Sequence, residues 1–343
     1  MQTNVNETKI QDKIKKMLVV KEIAIVKSFK PSKWFREITG VPEAKWRYGK
    51  GKWTKEGFMN TKTNEEQITG DLFHHSLRYL RQRYAPKSIP TSVEPIILCS
   101  DLDIREVMIN PESTNDMFLI ESRYNSLQNK FDQNEDWEAF FADNYKHVMT
   151  PASAIACRDA TTDVDDDSGR FSQCNYADIN YLAKLDKYFK VHTGYIEKLG
   201  KDLPATSEER RELAGDISVV YQRNCQVVWD VRDDKMWRWL PTPVNVHQVH
   251  VSTSMFNQDP SLVQRRFLLT AAYESAYLAA RACNAKALWL SLLLENYHQD
   301  NPLDLVLSVI NNIQKRLGDS FPVYLLDTAS LCDMNKYGEL VVR

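Results

Sequence analysis

Between residues 244 and 326 the chain alternates apolar run, long helical pattern, apolar run, amphipathic helical pattern, apolar run, at 244–251, 263–283, 287–294, 303–317 and 322–326. The two later runs are apolar at consecutive positions, the pattern of strands covered on both faces. Strand–helix alternation of this kind is the sequence form of a layered α/β fold around a buried sheet. Earlier apolar runs at 93–98 and 117–120, bounded by Pro, Ser and Asn, add two more buried strands. Runs at 217–222 and 226–229 read as further strands, with RDDKMWRWLPTP as a loop before 244. Ligands of such sheets gather beyond the carboxyl ends of the strands. The first candidates are therefore the residues after Leu98, Ile120, Val251 and Leu294, Ser252 among them.

Composition removes several classes of function. A net charge of -2 with 43% hydrophobic and 26% charged residues describes a soluble globular chain without the basic field that nucleic acid attracts. No run of about eighteen apolar residues is present, so no membrane span is expected. The opening MQTNVNETKIQDKIKK lacks the apolar core of a signal peptide. The six cysteines, Cys99, Cys157, Cys174, Cys225, Cys283 and Cys332, form no CxxC pair, which fits a reducing compartment and neither a zinc knuckle nor a disulfide framework. GxSxG, Walker and paired Cys/His signatures are missing too.

Ahead of the sheet, Ile68, Leu72, Phe73, Leu77 and Leu80 recur at helical spacing and predict an amphipathic helix over 65–84, ended before Pro86. His74 and His75 would sit on it as surface or packing residues. With no companion sheet for its apolar stripe, residues 1–92 are expected to form a mostly helical layer packed on the core. KWRYGKGKWTKEG interleaves aromatic and basic residues around Gly49 and Gly51; it reads as a solvated loop, with stacking on bases as the sharper alternative. Helices are also expected over 134–145, over 179–189, and after a cap near Ser207.

The most polarised stretch is PASAIACRDATTDVDDDSG, where Ala152, Ala154, Ile155 and Ala156 run into Asp159, Asp163, Asp165, Asp166 and Asp167. Carboxylates this dense are either solvated or bound to something. An EF-hand begun at Asp163 aligns Asp165 and Asp167 but puts Ser168 where Gly is required and Cys174 where the bidentate Glu belongs. A looser magnesium or calcium site through Asp163, Asp165 and Asp167 stays open, as does a metal-free cluster that activates water or grips a cation. His247 and His250, three apart on a strand, face opposite sides and do not converge on one ion. Tyr273 and Glu274 lie inside the alanine-rich helix, where packing is the default.

The pieces SDLDIREVMINPES, MFLIESRYNSLQ, TPASAIACRDATT, VHQVHVSTSM, AAYESAYLAA and LSLLLENYHQDNPLDLVLSVI occur in an order that resembles a divergent branch of the macrodomain superfamily. The match runs over roughly 93–327, with an insertion-like stretch at about 171–215. The resemblance implies a three-layer α/β/α sandwich with a mixed sheet, carrying the N-terminal extension and an ADP-ribose-binding domain over 93–343. It also implies similarity to atypical macrodomain effectors of intracellular bacteria that remove ADP-ribose from arginine, with non-classical export into a host cell. By the same resemblance Asp101 takes the adenine amino group, and Asn125 faces the distal ribose with Glu121 and Tyr124 nearby. Relatives have a glycine triplet where this chain has Glu295, Asn296 and Tyr297, so the lining of that loop, His298 included, is changed. Asn301 and Pro302 are kept.

For the acidic stretch the expected chemistry is hydrolysis of an arginine N-glycoside, with Asp159, Asp163, Asp165, Asp166 and Asp167 activating water and holding the guanidinium, no cofactor being required. The partners are then ADP-ribose and an ADP-ribosylated protein. Two alternatives come from other classes: a non-catalytic ADP-ribose reader, and a metal-dependent phosphodiesterase or pyrophosphatase using the Asp cluster.

Overall fold

The computed structural model describes residues 27–42, 45–46, 52–88, 95–100, 102–122, 149–159, 180–192, 195–253, 260–293, 302–318, 321–327 and 341–342. The N-terminal part holds β1 (Ser28–Phe29), α1 (Trp34–Thr39), β2 (Lys52–Trp53), β3 (Gly57–Met59), β4 (Glu66–Ile68), β5 (Asp71–Ser76) and α2 (Leu77–Tyr84). There follow β6 (Ile97–Ser100), α3 (Ile104–Met108), β7 (Met117–Glu121), α4 (Pro151–Asp159), β8 (Phe189–His192), β9 (Tyr195–Leu199) and α5 (Ser207–Ala214). The last part is β10 (Ser218–Asp230), β11 (Trp237–Val251), α6 (Leu262–Ala282), β12 (Leu288–Ser291), α7 (Pro302–Leu317), β13 (Val323–Asp327) and β14 (Val341–Val342).

The central sheet is mixed, in the order β14-β6-β13-β12-β7-β11-β10-β5, with β1 pairing onto the start of β11. From β14 to β11 every neighbour is parallel; β10 runs antiparallel to β11, and β5 antiparallel to β10. Strand alternation sends successive side chains to two separate cores. Leu98, Met117, Leu119, Leu288, Leu290 and Leu325 face one core, under α2, α5, α6 and α7. Ile97, Phe118, Ile120, Trp289, Tyr324 and Leu326 face the other, under α1, α3 and α4. The fold is thus α/β, with helices on both faces of a mixed sheet, as expected.

Local chemistry accounts for the principal helices. α6 starts at Ser261, whose side chain accepts from Gln264 N while the Gln264 side chain reaches back, a reciprocal cap. It is buried along most of its length, and Ala271, Ala272, Ala276, Ala279 and Ala280 let its backbone lie close to its neighbours. α4 is seated by buried Ala152, Ala154 and Ile155 and by Ser153, whose Oγ donates to the Thr69 carbonyl at 2.6 Å.

Several sequence expectations need correction. Residues 65–84 are not one helix: β4 and β5 occupy the first part and only Leu77–Tyr84 is helical. Gly70 turns the chain at φ 72°, where an added Cβ would meet the Arg223 carbonyl oxygen at 2.4 Å. Asp71 then pairs with Arg223 at 2.9 Å as β5 joins β10. His74 and His75 consequently lie on a strand, His75 stacked on Tyr79 with ring centroids 4.3 Å apart. The described part of residues 1–92 is therefore mixed rather than mostly helical, and it contributes an edge strand to the main sheet. The aromatic–basic segment is not a solvated loop throughout: Trp46 is buried and packs edge-on against Trp53 and Phe58, so its ring is committed to packing. The expected helix over 179–189 is a turn and one 3-10 turn before the β8–β9 hairpin. The two strands at 217–222 and 226–229 are one, β10, irregular opposite β11 at Gln222/Cys225 and Val227/Trp229, and β11 begins at Trp237, inside the expected loop. The cap of α5 is Thr206, one residue before Ser207. The helix expected over 134–145 lies outside the described residues.

Candidate functional site

Parallel pairing brings the carboxyl ends of β6, β13, β12, β7 and β11 to one edge, so Ser100, Asp327, Ser291, Glu121 and Val251 end their strands side by side. The segments that leave β6, β7, β11 and β12 at this edge are the ones singled out by sequence. Glu121, half-buried, accepts a hydrogen bond from Thr253 Oγ1 at 3.3 Å across the β7–β11 seam. Next to it, the Ser122 amide donates to the Val251 carbonyl at 2.7 Å and its hydroxyl lies 3.2 Å from the Tyr181 hydroxyl. Ser252 is buried and lines a small cavity with Tyr181, Ser218, His250 and, from α6, Ala271 and Ser275.

The exit of β12 is held from behind. Tyr273 Oη donates to the Ser291 carbonyl at 3.1 Å and accepts the Leu293 amide at 3.1 Å, tying α6 to the end of β12 and the residues just after it. Ser291 Oγ donates to the Leu119 carbonyl at 3.2 Å and locks β12 to β7 at the same level. Tyr273→Phe removes one hydroxyl but orphans two backbone groups, so we expect a loss of about 2 kcal/mol in urea unfolding, with faster exchange of the Leu293 amide.

α4, which leads into the acidic stretch, lies on the tryptophan-rich side of the sheet. Thr150, just before its first turn, donates to Gln248 Oε1 at 3.3 Å, and the Met149 carbonyl accepts the Val228 amide at 3.1 Å. Asp159 is the last residue of this helix. Asp101, Asn125, Asp163, Asp165, Asp166, Asp167, Glu295, Asn296, Tyr297, His298 and Asn301 lie outside the described residues. Asp101 follows directly on β6 and precedes Asp103, whose side chain caps α3.

His247 and His250 are both buried, and each is pushed down to about 4. Burial is the main cause for both, and the Arg223 charge adds to it at His247. His247 Nδ1 accepts the Asn224 amide at 3.1 Å, a structural task in the irregular part of the β10–β11 pair. Among the described residues no group of three or more His, Cys, Asp or Glu has the arrangement of a metal site.

Sequence reasoning passed over Thr253 and Tyr181, and assigned Tyr273 and Glu274 to packing. Glu274 is fully buried and ion-paired to Arg81 at 2.7 Å and to Arg316 at 3.3 Å. Burial works against its ionisation, yet the hydrogen bonds and charges of Arg81 and Arg316 outweigh it and hold the carboxyl below the usual range. The signal was a Glu within an otherwise apolar run, AAYESAYLAA, which requires a buried cationic partner.

No family model matches the chain, nor does any curated protein. Among solved structures it is similar to poly(ADP-ribose) glycohydrolase from Deinococcus radiodurans in complex with ADP-ribose, at 10% identity and TM-score 0.43 over 78% of this chain and 91% of that one. The apo form of that enzyme gives TM-score 0.43 at 10% identity over 79% and 94%. Poly(ADP-ribose) glycohydrolase from Thermomonospora curvata gives TM-score 0.44 at 10% identity over 90% of this chain and 97% of that one.

Proposed function

We propose that the chain is an ADP-ribosylhydrolase that releases ADP-ribose from an ADP-ribosylated arginine of a protein substrate. The observation that carries the proposal is the shared edge of the parallel strands. Four of the segments that resemble macrodomain pieces include the ends of β6, β7, β11 and β12, strands that finish at one edge of the sheet. A ligand at that edge would meet all of them at once, as ligands of open α/β sheets do.

In this account Asp101 takes the adenine, Asn125 and Glu121 border the distal ribose, and Ser252 with Glu295, Asn296, Tyr297, His298 and Asn301 lines the remainder. The acidic stretch from Asp159 to Asp167 supplies the chemistry. The bond between the anomeric carbon and the arginine nitrogen breaks, its electron pair leaving on the guanidine, through a cationic, oxocarbenium-like state that a carboxylate stabilises. Water adds its oxygen to the anomeric carbon and gives one proton to an Asp, and that proton is passed on to the departing neutral guanidine, which restores the guanidinium and the free carboxylate. A second Asp grips the planar guanidinium in bidentate fashion.

The test is release of free ADP-ribose from arginine-modified protein in the presence of a chelator. We expect release to persist with chelator, and Ala at Asp159 or at one of Asp165, Asp166 and Asp167 to lower turnover by about 10²-fold or more. Asp163→Ala should lose less. Because removing a charge from a crowded acidic cluster relieves repulsion, these variants should melt no lower than the parent. Binding without release identifies a reader instead, and loss of release on chelation a metal-dependent hydrolase.

A further inference from the structure

On the side of the sheet away from the tryptophans, α5, α6 and α7 border a groove of about 700 Å³, far larger than a single anion fills. Arginines dominate its wall: Arg81 on α2, Arg210 and Arg211 on α5, Arg266 on α6 and Arg316 on α7. Against these five guanidiniums stand two carboxylates, Glu208 in the wall and Glu274 beneath it, so positive charge is in local excess. The whole chain carries a formal charge of -2, so the positive field belongs to this groove and not to the protein at large.

Four of the five arginines are preset. Arg81 and Arg316 share the fully buried Glu274 carboxylate, which fixes both guanidiniums at the base of the groove. Arg210 is held by the Pro204 and Ala205 carbonyls at 2.7 Å each, and Arg266 donates to the neutral Ser308 hydroxyl at 3.1 Å. Holding the guanidiniums in advance lowers the ordering cost of binding an anion.

Beside the arginines, the first turn of α6 presents Leu262, 61% exposed, and Val263, 45% exposed. With Tyr79 they are the large apolar side chains that stand exposed among the described residues. A small phosphate-bearing ligand has use for the arginines and none for this apolar ledge. A polypeptide segment that carries carboxylates and a bulky apolar residue has use for both, and arginine clusters are a recurrent way of reading acidic motifs.

We infer that the groove between α5, α6 and α7 docks an acidic, amphipathic segment of a partner polypeptide. The probe is a short fluorescent peptide of glutamates interrupted by one Leu and one Phe, titrated with the full chain at low and high salt. We expect saturable binding that weakens with salt. Arg211→Glu combined with Arg266→Glu, both exposed positions that leave the Glu274 cluster intact, should weaken it by about tenfold or more and confer binding of the matching lysine peptide. Leu262→Ser should weaken binding while leaving its salt dependence unchanged. Unaltered melting temperatures establish that the variants are folded. The inference is overturned if the parent does not bind the acidic peptide, or if the double charge reversal binds it equally well. It is overturned also if Leu262→Ser has no effect while inorganic triphosphate displaces the peptide fully, which makes the groove a site for small polyanions.

Discussion

Replacing Glu274 by Leu is expected to lower the unfolding free energy by about 3–5 kcal/mol, because it strands a guanidinium in the helix layer. Arg81 has 11% of its side chain exposed, and its Nε and Nη2 both donate to the lost carboxylate. Arg316, 33% exposed, can turn to water and suffers less. The double replacement Arg81→Met with Glu274→Leu should recover most of the loss, since an apolar pair of similar volume carries no desolvation penalty. Urea denaturation of the two single variants and the double variant gives the coupling directly. A double variant no more stable than Glu274→Leu alone would mean that packing, not charge, is what Glu274 provides.

Acid should destabilise the protein in two separate windows. His247 and His250 sit near 4 in the folded chain and near 6.5 when unfolded, so between these values the unfolded state binds more protons. Stability supplied by keeping both rings neutral is complete above about pH 6.5 and is lost as pH falls toward 4. With nearly two protons involved, the slope around pH 5 is roughly 2–3 kcal/mol per pH unit. Glu274 contributes in the same direction but lower. Its folded value is depressed, so its stabilisation is intact above the usual carboxyl range and fails only as pH drops through the lowered value. Unfolding free energies measured from pH 7 to 4 should show the first window, and His250→Gln should remove about half of its slope. An unchanged slope in both His250→Gln and His247→Gln would assign the acid sensitivity to other groups.

Which parts of the molecule could be read from sequence follows from how local their causes are. The parallel strands were legible because both faces are covered: at β12, Leu288 and Leu290 enter one core and Trp289 the other, leaving an unbroken apolar run. The stretch from 65 to 84 misled because Leu72, Phe73, Leu77 and Leu80 keep helical spacing even though the first two lie on a strand. What decided between the two was β10, more than 140 residues away, which pairs with β5 from Ser218↔Ser76 to Arg223↔Asp71. In the candidate site, the strand-end positions Glu121 and Ser252 were legible because parallel topology fixes where strands end. Tyr273 and Glu274 were visible as polar residues in an alanine-rich helix, but their partners Ser291, Leu293, Arg81 and Arg316 come from elements that only the fold brings together.

The division of the interior into two unlike cores makes the protein its own optical reporter. Trp34, Trp46, Trp53, Trp229, Trp237, Trp239 and Trp289, the described tryptophans, all belong to or pack against the core beneath α1, α3 and α4. The core beneath α6 and α7 contains tyrosines such as Tyr273 and Tyr277 and no described tryptophan. Emission from these seven indoles therefore follows the loosening of one layer, while far-ultraviolet dichroism, to which α6 and α7 contribute the longest described helices, is weighted toward the other. Coincident denaturation curves would mean that the sheet transmits cooperativity from face to face. An emission change at lower urea would mean that the layer carrying α4 opens first, taking with it the anchor of the acidic stretch.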